Sequence, residues 1–111
     1  MATHAVFKDP LFGSEIHFID AITAEDAKDI FVKCFPCIKT EMFEEALAGF
    51  DSPELNEVLY IWGNKHHIHH IAHECVHAAA YTLHRVGVPV SFRNDETLAY
   101  YVQFLMNNIY P

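Results

Sequence analysis

His73-Glu74-Cys75-Val76-His77 is the stretch of this chain whose residue types and spacing carry a chemistry. It reads H-E-x-x-H. Residues four apart share one face of a helix, so two imidazoles in this pattern can bind one metal ion while the carboxylate between them reaches a water on that metal. The reaction suggested is hydrolysis, with Zn²⁺ held by His73 and His77 and with Glu74 as general base.

Nine histidines in 111 residues make a chance match easy, so the context has to carry the reading. On a helix from Asn64 to Val86, a turn of about 100° per residue gathers Ile68, Ile71, Ala72, Cys75, Val76, Ala79, Leu83 and Val86 on one broad apolar face. His66, His70, His73, His77 and His84 fall together on the opposite side, with Glu74 at the edge of their row. Such a helix sets its back on a core and presents histidines to a cleft. The competing reading is a solvated polar face that happens to be rich in His. Cys75 belongs to the apolar side and is core rather than ligand. His66, His67, His69 and His70 read as an exposed first turn and a half, against a second metal site, proton shuttling or substrate contact.

The elements that must position this helix follow from pattern and punctuation. Thr3 to Lys8 and Glu15 to Asp20 are two short strands joined by a Pro-, Gly- and Ser-containing turn, which predicts a hairpin. Thr23-Ala24-Glu25-Asp26 resembles a capping box and opens a helix through Cys34, with Ala27, Ile30, Phe31 and Cys34 on one face and Pro36 as its stop. Thr40 to Phe50 has helix-forming composition before Gly49 and Asp51-Ser52-Pro53 break the chain. Glu57 to Trp62 is rich in β-branched and aromatic residues and predicts a strand directly before the histidine helix. Gly87 is the expected stop of that helix. Asn94 or Asp95 caps a last helix to about Asn108, with Leu98, Val102, Leu105, Met106 and Ile109 as its apolar face.

A catalytic zinc takes three protein ligands and keeps a fourth position for water, so the pair needs a partner. A glycine three residues and a histidine six residues after His77 would supply one pattern, but Ala80 and Leu83 stand there. Glu96, nineteen residues after His77 and across the Gly87 turn, is the leading candidate, on the polar face of the last helix. Asp95 is the rival ligand, with a shorter side chain and a cap position. Both also suit the first turn of a helix on dipole grounds alone.

With Asn94-Asp95-Glu96-Thr97-Leu98-Ala99-Tyr100 following the H-E-x-x-H helix, the chain resembles the gluzincins, the metallopeptidase clan that includes thermolysin. It is closer still to minimal zincins encoded in bacteriophage genomes and to ImmA-like metallopeptidases. The resemblance covers Glu57 to Ile109, about half the chain. It implies an α+β, zincin-like domain in which a small antiparallel or mixed sheet packs against the active-site helix and a C-terminal helix. It implies a zinc-dependent metallopeptidase with Zn²⁺ bound by His73, His77 and Glu96 and with Glu74 as catalytic base. Four residues after Glu96, Tyr100 stands where thermolysin has an Asp that supports a zinc-bound His, a departure in the surroundings of the ligands.

Length and composition set the bounds. The chain fits one domain, 1–111, with 51% hydrophobic and 14% aromatic residues, a globular composition. A formal net charge of −8 argues against nucleic acid or an anionic membrane as partner and leaves a peptide or protein substrate. The first residues carry no secretory pattern and no apolar run is long enough for a span, so the expected location is cytoplasmic, in the host if phage-encoded. Three cysteines suit a reducing compartment, and Cys34-Phe35-Pro36-Cys37 reads as two ordinary cysteines at a helix end rather than a redox or zinc motif. For substrate, the strand near Tyr60 is expected to be an edge that holds an extended peptide, with Tyr100 or Arg93 as candidate donors to a tetrahedral intermediate. The alternative to an enzyme is a non-catalytic, zinc-stabilised phage accessory protein that binds a host factor, for example with His70 closing the site as a fourth ligand.

Overall fold

The computed structural model describes residues 2–34, 43, 47–52 and 57–111. Strands β1 (Thr3–Lys8) and β2 (Glu15–Asp20) form the expected hairpin, antiparallel from Thr3↔Asp20 to Lys8↔Glu15. Asp9 organises the turn: its Oδ1 accepts the N–H groups of Leu11 and Phe12, and Gly13 supplies a left-handed φ of 77°. Helix α1 (Ala24–Cys34) opens where the capping pattern predicts, with Thr23 Oγ1 accepting the Asp26 N–H at 3.2 Å. The rest of the Cys34-to-Cys37 motif, Phe35 to Cys37 with the Pro36 stop, lies outside the described residues.

The segment read as helical from Thr40 to Phe50 is corrected where it is described, because Ala48–Asp51 is a strand, β3. The rest of that segment, Phe43 and Leu47 apart, lies outside the described residues. β3 pairs antiparallel with β4 (Val58–Gly63), setting Phe50 opposite Ile61 and its ring 5.8 Å from that of Tyr81. Ladder bonds plus a half-buried aromatic outweigh local helix propensity in so short a piece. β4 in turn runs parallel to β2, from Glu15↔Val58 to Asp20↔Gly63, and the sheet order is β1-β2-β4-β3.

This mixed sheet gives the protein an α+β fold with helices on both faces. Because side chains alternate along a strand, Ile16, Phe18, Leu59 and Ile61 leave one face and His17, Ile19, Tyr60 and Trp62 the other. Ala27 and Phe31 of α1 cover the second face, where Phe31, Phe43, Tyr60 and Trp62 stack edge-on or tilted on one another. The first face carries α2 (Ile68–Arg85) and α3 (Glu96–Ile109), through Ile71, Cys75, Ala78, Ala79, Tyr101, Leu105 and Ile109. α2 comes so close that a Cβ on Gly63 would sit 2.5 Å from Ile71 Cδ1. Among the described residues no helix is long and apolar enough to cross a membrane.

Candidate metal centre

The strand-to-helix link is short and pinned at both ends. Lys65 N–H donates to Asp20 Oδ1, while Asn64 accepts the His66 N–H on its side chain and the His67 N–H on its carbonyl. Asn64 therefore caps a turn rather than the helix, and α2 begins at Ile68 instead of at Asn64. At the other end Gly87 has φ 80°, and the N–H groups of Gly87 and Val88 bond to the carbonyls of His84 and Leu83, the Schellman pattern. The buried side of α2 is Ile71, Cys75, Ala78, Ala79, Thr82 and Leu83. It is turned from the expected face toward Ala78 and Thr82, whose small side chains admit α3; Val76, expected in the core, is 45% exposed.

That rotation leaves His73 and His77 exposed on the outer side, where their Nε2 atoms face each other at 3.1 Å. One ring donates and the other accepts, so a single ring proton joins the two nitrogens. The separation also suits a shared ion, since two imidazole ligands at about 2.0–2.1 Å from a tetrahedral zinc have their nitrogens ~3.3 Å apart. His73 and Glu74 line a recess of about 420 Å³ together with His69, His70, Leu47 and Ala48. The carboxylate thus opens on the same space as one imidazole of the pair. His70 is half-buried, and its Nδ1 is enclosed without a hydrogen-bond partner among the described residues. Burial, followed by the neighbouring His69 and His67, holds its imidazole below the ordinary value, with Glu74 pulling the other way. Cys75 faces the core as expected: burial and then the charge of Glu74 push its thiol up to about 12, an inert thiol rather than a ligand.

Glu96 does not join this group. Tyr101 donates its hydroxyl to Asp9 Oδ2 beside the hydroxyls of Thr82 and Ser14, and Tyr110 donates to the Lys65 carbonyl. α3 therefore runs antiparallel to α2. Glu96 lies five residues before Tyr101 and His77 five residues before Thr82, which separates them by roughly 15 Å along the axis at about 1.5 Å per residue. Among the described residues, no three His, Cys, Asp or Glu side chains converge to hold a metal ion. Asp95 sits at the N-cap of α3, exposed and without a side-chain cap bond. Arg93 is exposed, and Tyr100, 66% exposed, faces a separate apolar recess of about 350 Å³ with Leu11, Phe12 and Phe104. At the start of α2 the rings of His67, His69 and His70 crowd to 4.1–6.0 Å between centroids, while His66 stays exposed in the preceding turn.

Tyr60 does not lie on an edge strand. β4 is interior and Tyr60 is fully buried, so the strand that borders the recess and ends the sheet among the described residues is β3. Leu47 and Ala48, which wall the recess, escaped sequence reading because their segment reads as helix. No protein-family model, curated protein or solved structure matches the chain.

Proposed function

We propose that the chain is a zinc-dependent metallopeptidase whose ion is held by His73 and His77 and whose general base is Glu74. The observation that carries this reading is the Nε2 pair at 3.1 Å with Glu74 opening on the recess beside it. A bound zinc supplies Lewis acidity and a water acidified to about pKa 7. Glu74, flanking the pair, would be the residue placed to take a proton from that water and return it to the leaving amine. The edge of β3 that is open among the described residues pairs with an extended peptide, whose backbone needs only ladder bonds to be held. The reading includes a reducing cytoplasm and a protein substrate, in a phage-infected host if the resemblance to phage zincins holds. Glu96 completes the gluzincin ligand set only if the first turn of α3 draws toward His77 on metal uptake.

The test is metal content by elemental mass spectrometry of wild type, His73→Ala, Glu74→Gln and Glu96→Ala, after removal of tag and loose metal, beside cleavage of a peptide library read by mass. Wild type is expected to hold about one zinc, His73→Ala to lose it, and Glu74→Gln to keep it while losing cleavage. Zinc absent from wild type, or retained in His73→Ala, overturns the reading; zinc retained in Glu96→Ala overturns that ligand alone.

One observation favours the second reading, a zinc-stabilised accessory protein without catalysis. The enclosed Nδ1 of His70, without a partner among the described residues, is a further donor on the same recess, and a site closed by protein ligands leaves no position for water. A His70→Ala variant that loses both its zinc and its thermal stability supports that reading.

A further inference from the structure

On the α1 face of the sheet, the face opposite the one that carries α2, three side chains from two neighbouring strands form a hydrogen-bonded chain. Glu15 and His17 are two apart on β2 and so leave the same face. Glu15 Oε2 lies 2.8 Å from His17 Nε2. His4, on β1 and diagonal to His17 in the register, brings its Nε2 to 2.8 Å from His17 Nδ1. His17 is 7% exposed, and its ring packs 5.1 Å from that of Tyr60.

The donors in this chain are fixed by what each group can do. An ionised carboxylate only accepts, so His17 Nε2 carries a proton and donates it to Glu15. That settles the tautomer: the lone pair of His17 is on Nδ1, aimed at His4. A buried imidazole with one nitrogen tied to a carboxylate and the other presenting its lone pair is how metal-ligating histidines are oriented and made more basic. Burial and then the neighbouring His17 hold the His4 imidazole below its ordinary value. Shifting its ring proton from Nε2 to Nδ1 presents a second lone pair at the same point, with no net loss of a proton.

We propose that His4 Nε2 and His17 Nδ1 form a two-imidazole site for a borderline divalent transition metal such as Zn²⁺, with Glu15 as positioning carboxylate behind His17 and water in the remaining positions. The nitrogens need to part from 2.8 Å to about 3.3 Å to take the ion. His4 sits exposed on β1, the strand that ends the sheet on this side among the described residues. Two imidazoles and open water positions suit affinity on the order of micromolar, weaker than a site with three or four protein ligands.

The experiment is titration of Zn²⁺ alone into the metal-stripped full chain carrying His73→Ala and His77→Ala, followed by NMR of the histidine ring nitrogens. His17 Nδ1 and His4 Nε2 are expected to shift together while His17 Nε2 keeps its proton. Adding His4→Ala, at an exposed position, removes the His17 response with the fold intact; adding Glu15→Gln weakens it about ten-fold. If His4 and His17 stay unmoved while only the α2 histidines respond, or if the His4→Ala and Glu15→Gln proteins bind as tightly as their parent, the proposal is overturned and the cluster is a strand tie.

Discussion

His73 and His77 meet because one helical turn separates them; His4 and His17 meet because two strands lie in register across a turn. The helical pair is exposed, and no described carboxylate hydrogen-bonds either ring. The sheet pair has its inner member buried and fastened to Glu15. Spacing along a helix delivers ligands without asking anything of the core, so that pair is free to serve a ligand. A cross-strand pair is part of the packing, and whatever it binds is coupled to the stability of the fold.

Removing the support of one pair while sparing the other gives the largest effect. Ile71→Ala, behind the helical pair and fully buried between α2 and Gly63, is expected to cost about 3 kcal/mol in chemical denaturation. Its histidine ring signals on α2 should shift more than those of His4 and His17. His17→Ala comes next at about 2 kcal/mol, because it leaves the Glu15 carboxylate and the space beside Tyr60 without a partner. In metal-free protein, His73→Ala should change the unfolding free energy by less than about 0.5 kcal/mol, the behaviour of an exposed position. Equal costs for His17→Ala and His73→Ala would break the distinction.

The smallest effect is on acid sensitivity. Burial and the neighbouring His17 lower the pKa of His4 in the fold below its unfolded value, so protonation favours the unfolded chain. The stability that neutral His4 contributes is complete above the unfolded pKa of about 6.5 and declines as pH falls through the lower folded value. Urea midpoints at about pH 7.5 and about pH 5.5 should therefore differ less in His4→Gln than in wild type. An unchanged difference would show that His4 carries no such linkage.

Sequence reading was strongest where one local rule decides. The β1–β2 hairpin, the Thr23 cap and the Gly87 stop follow from turn and capping chemistry, and they stand where expected. The helix that bears His73, Glu74 and His77 was legible in its existence and its Gly87 end, but periodicity misplaced its buried face, which is turned toward Ala78 and Thr82 and leaves Val76 exposed. β3 was not legible: helix-forming residues before Gly49 spoke louder than the open edge of β4, which is a distant partner. Tyr101 looked like one more tyrosine, yet it anchors α3 through Asp9 at the other end of the chain, and burial with that bond pushes its hydroxyl up to about 12. That anchor sets the sliding register of α3 on α2, and spacing from His77 to Glu96 contains no information about it. The His4–His17–Glu15 chain escaped for the same reason, since it exists only once two strands are paired.

The parallel ladder between β2 and β4 has a consequence for how the chain assembles. The hairpin β1–β2 and the helical pair α2–α3 each join neighbours in sequence, so both can form early and separately. The β2–β4 ladder must bring together strands with α1 and β3 between them, and its loop closure is the slow, entropically unfavourable step. During synthesis β2 emerges long before β4, leaving the edge beside Ile16, Phe18 and Ile19 without its partner. An open apolar edge of that kind is where a nascent chain associates with the wrong strand. For this protein, the interval between translating Asp20 and translating Gly63 is when misassembly is decided.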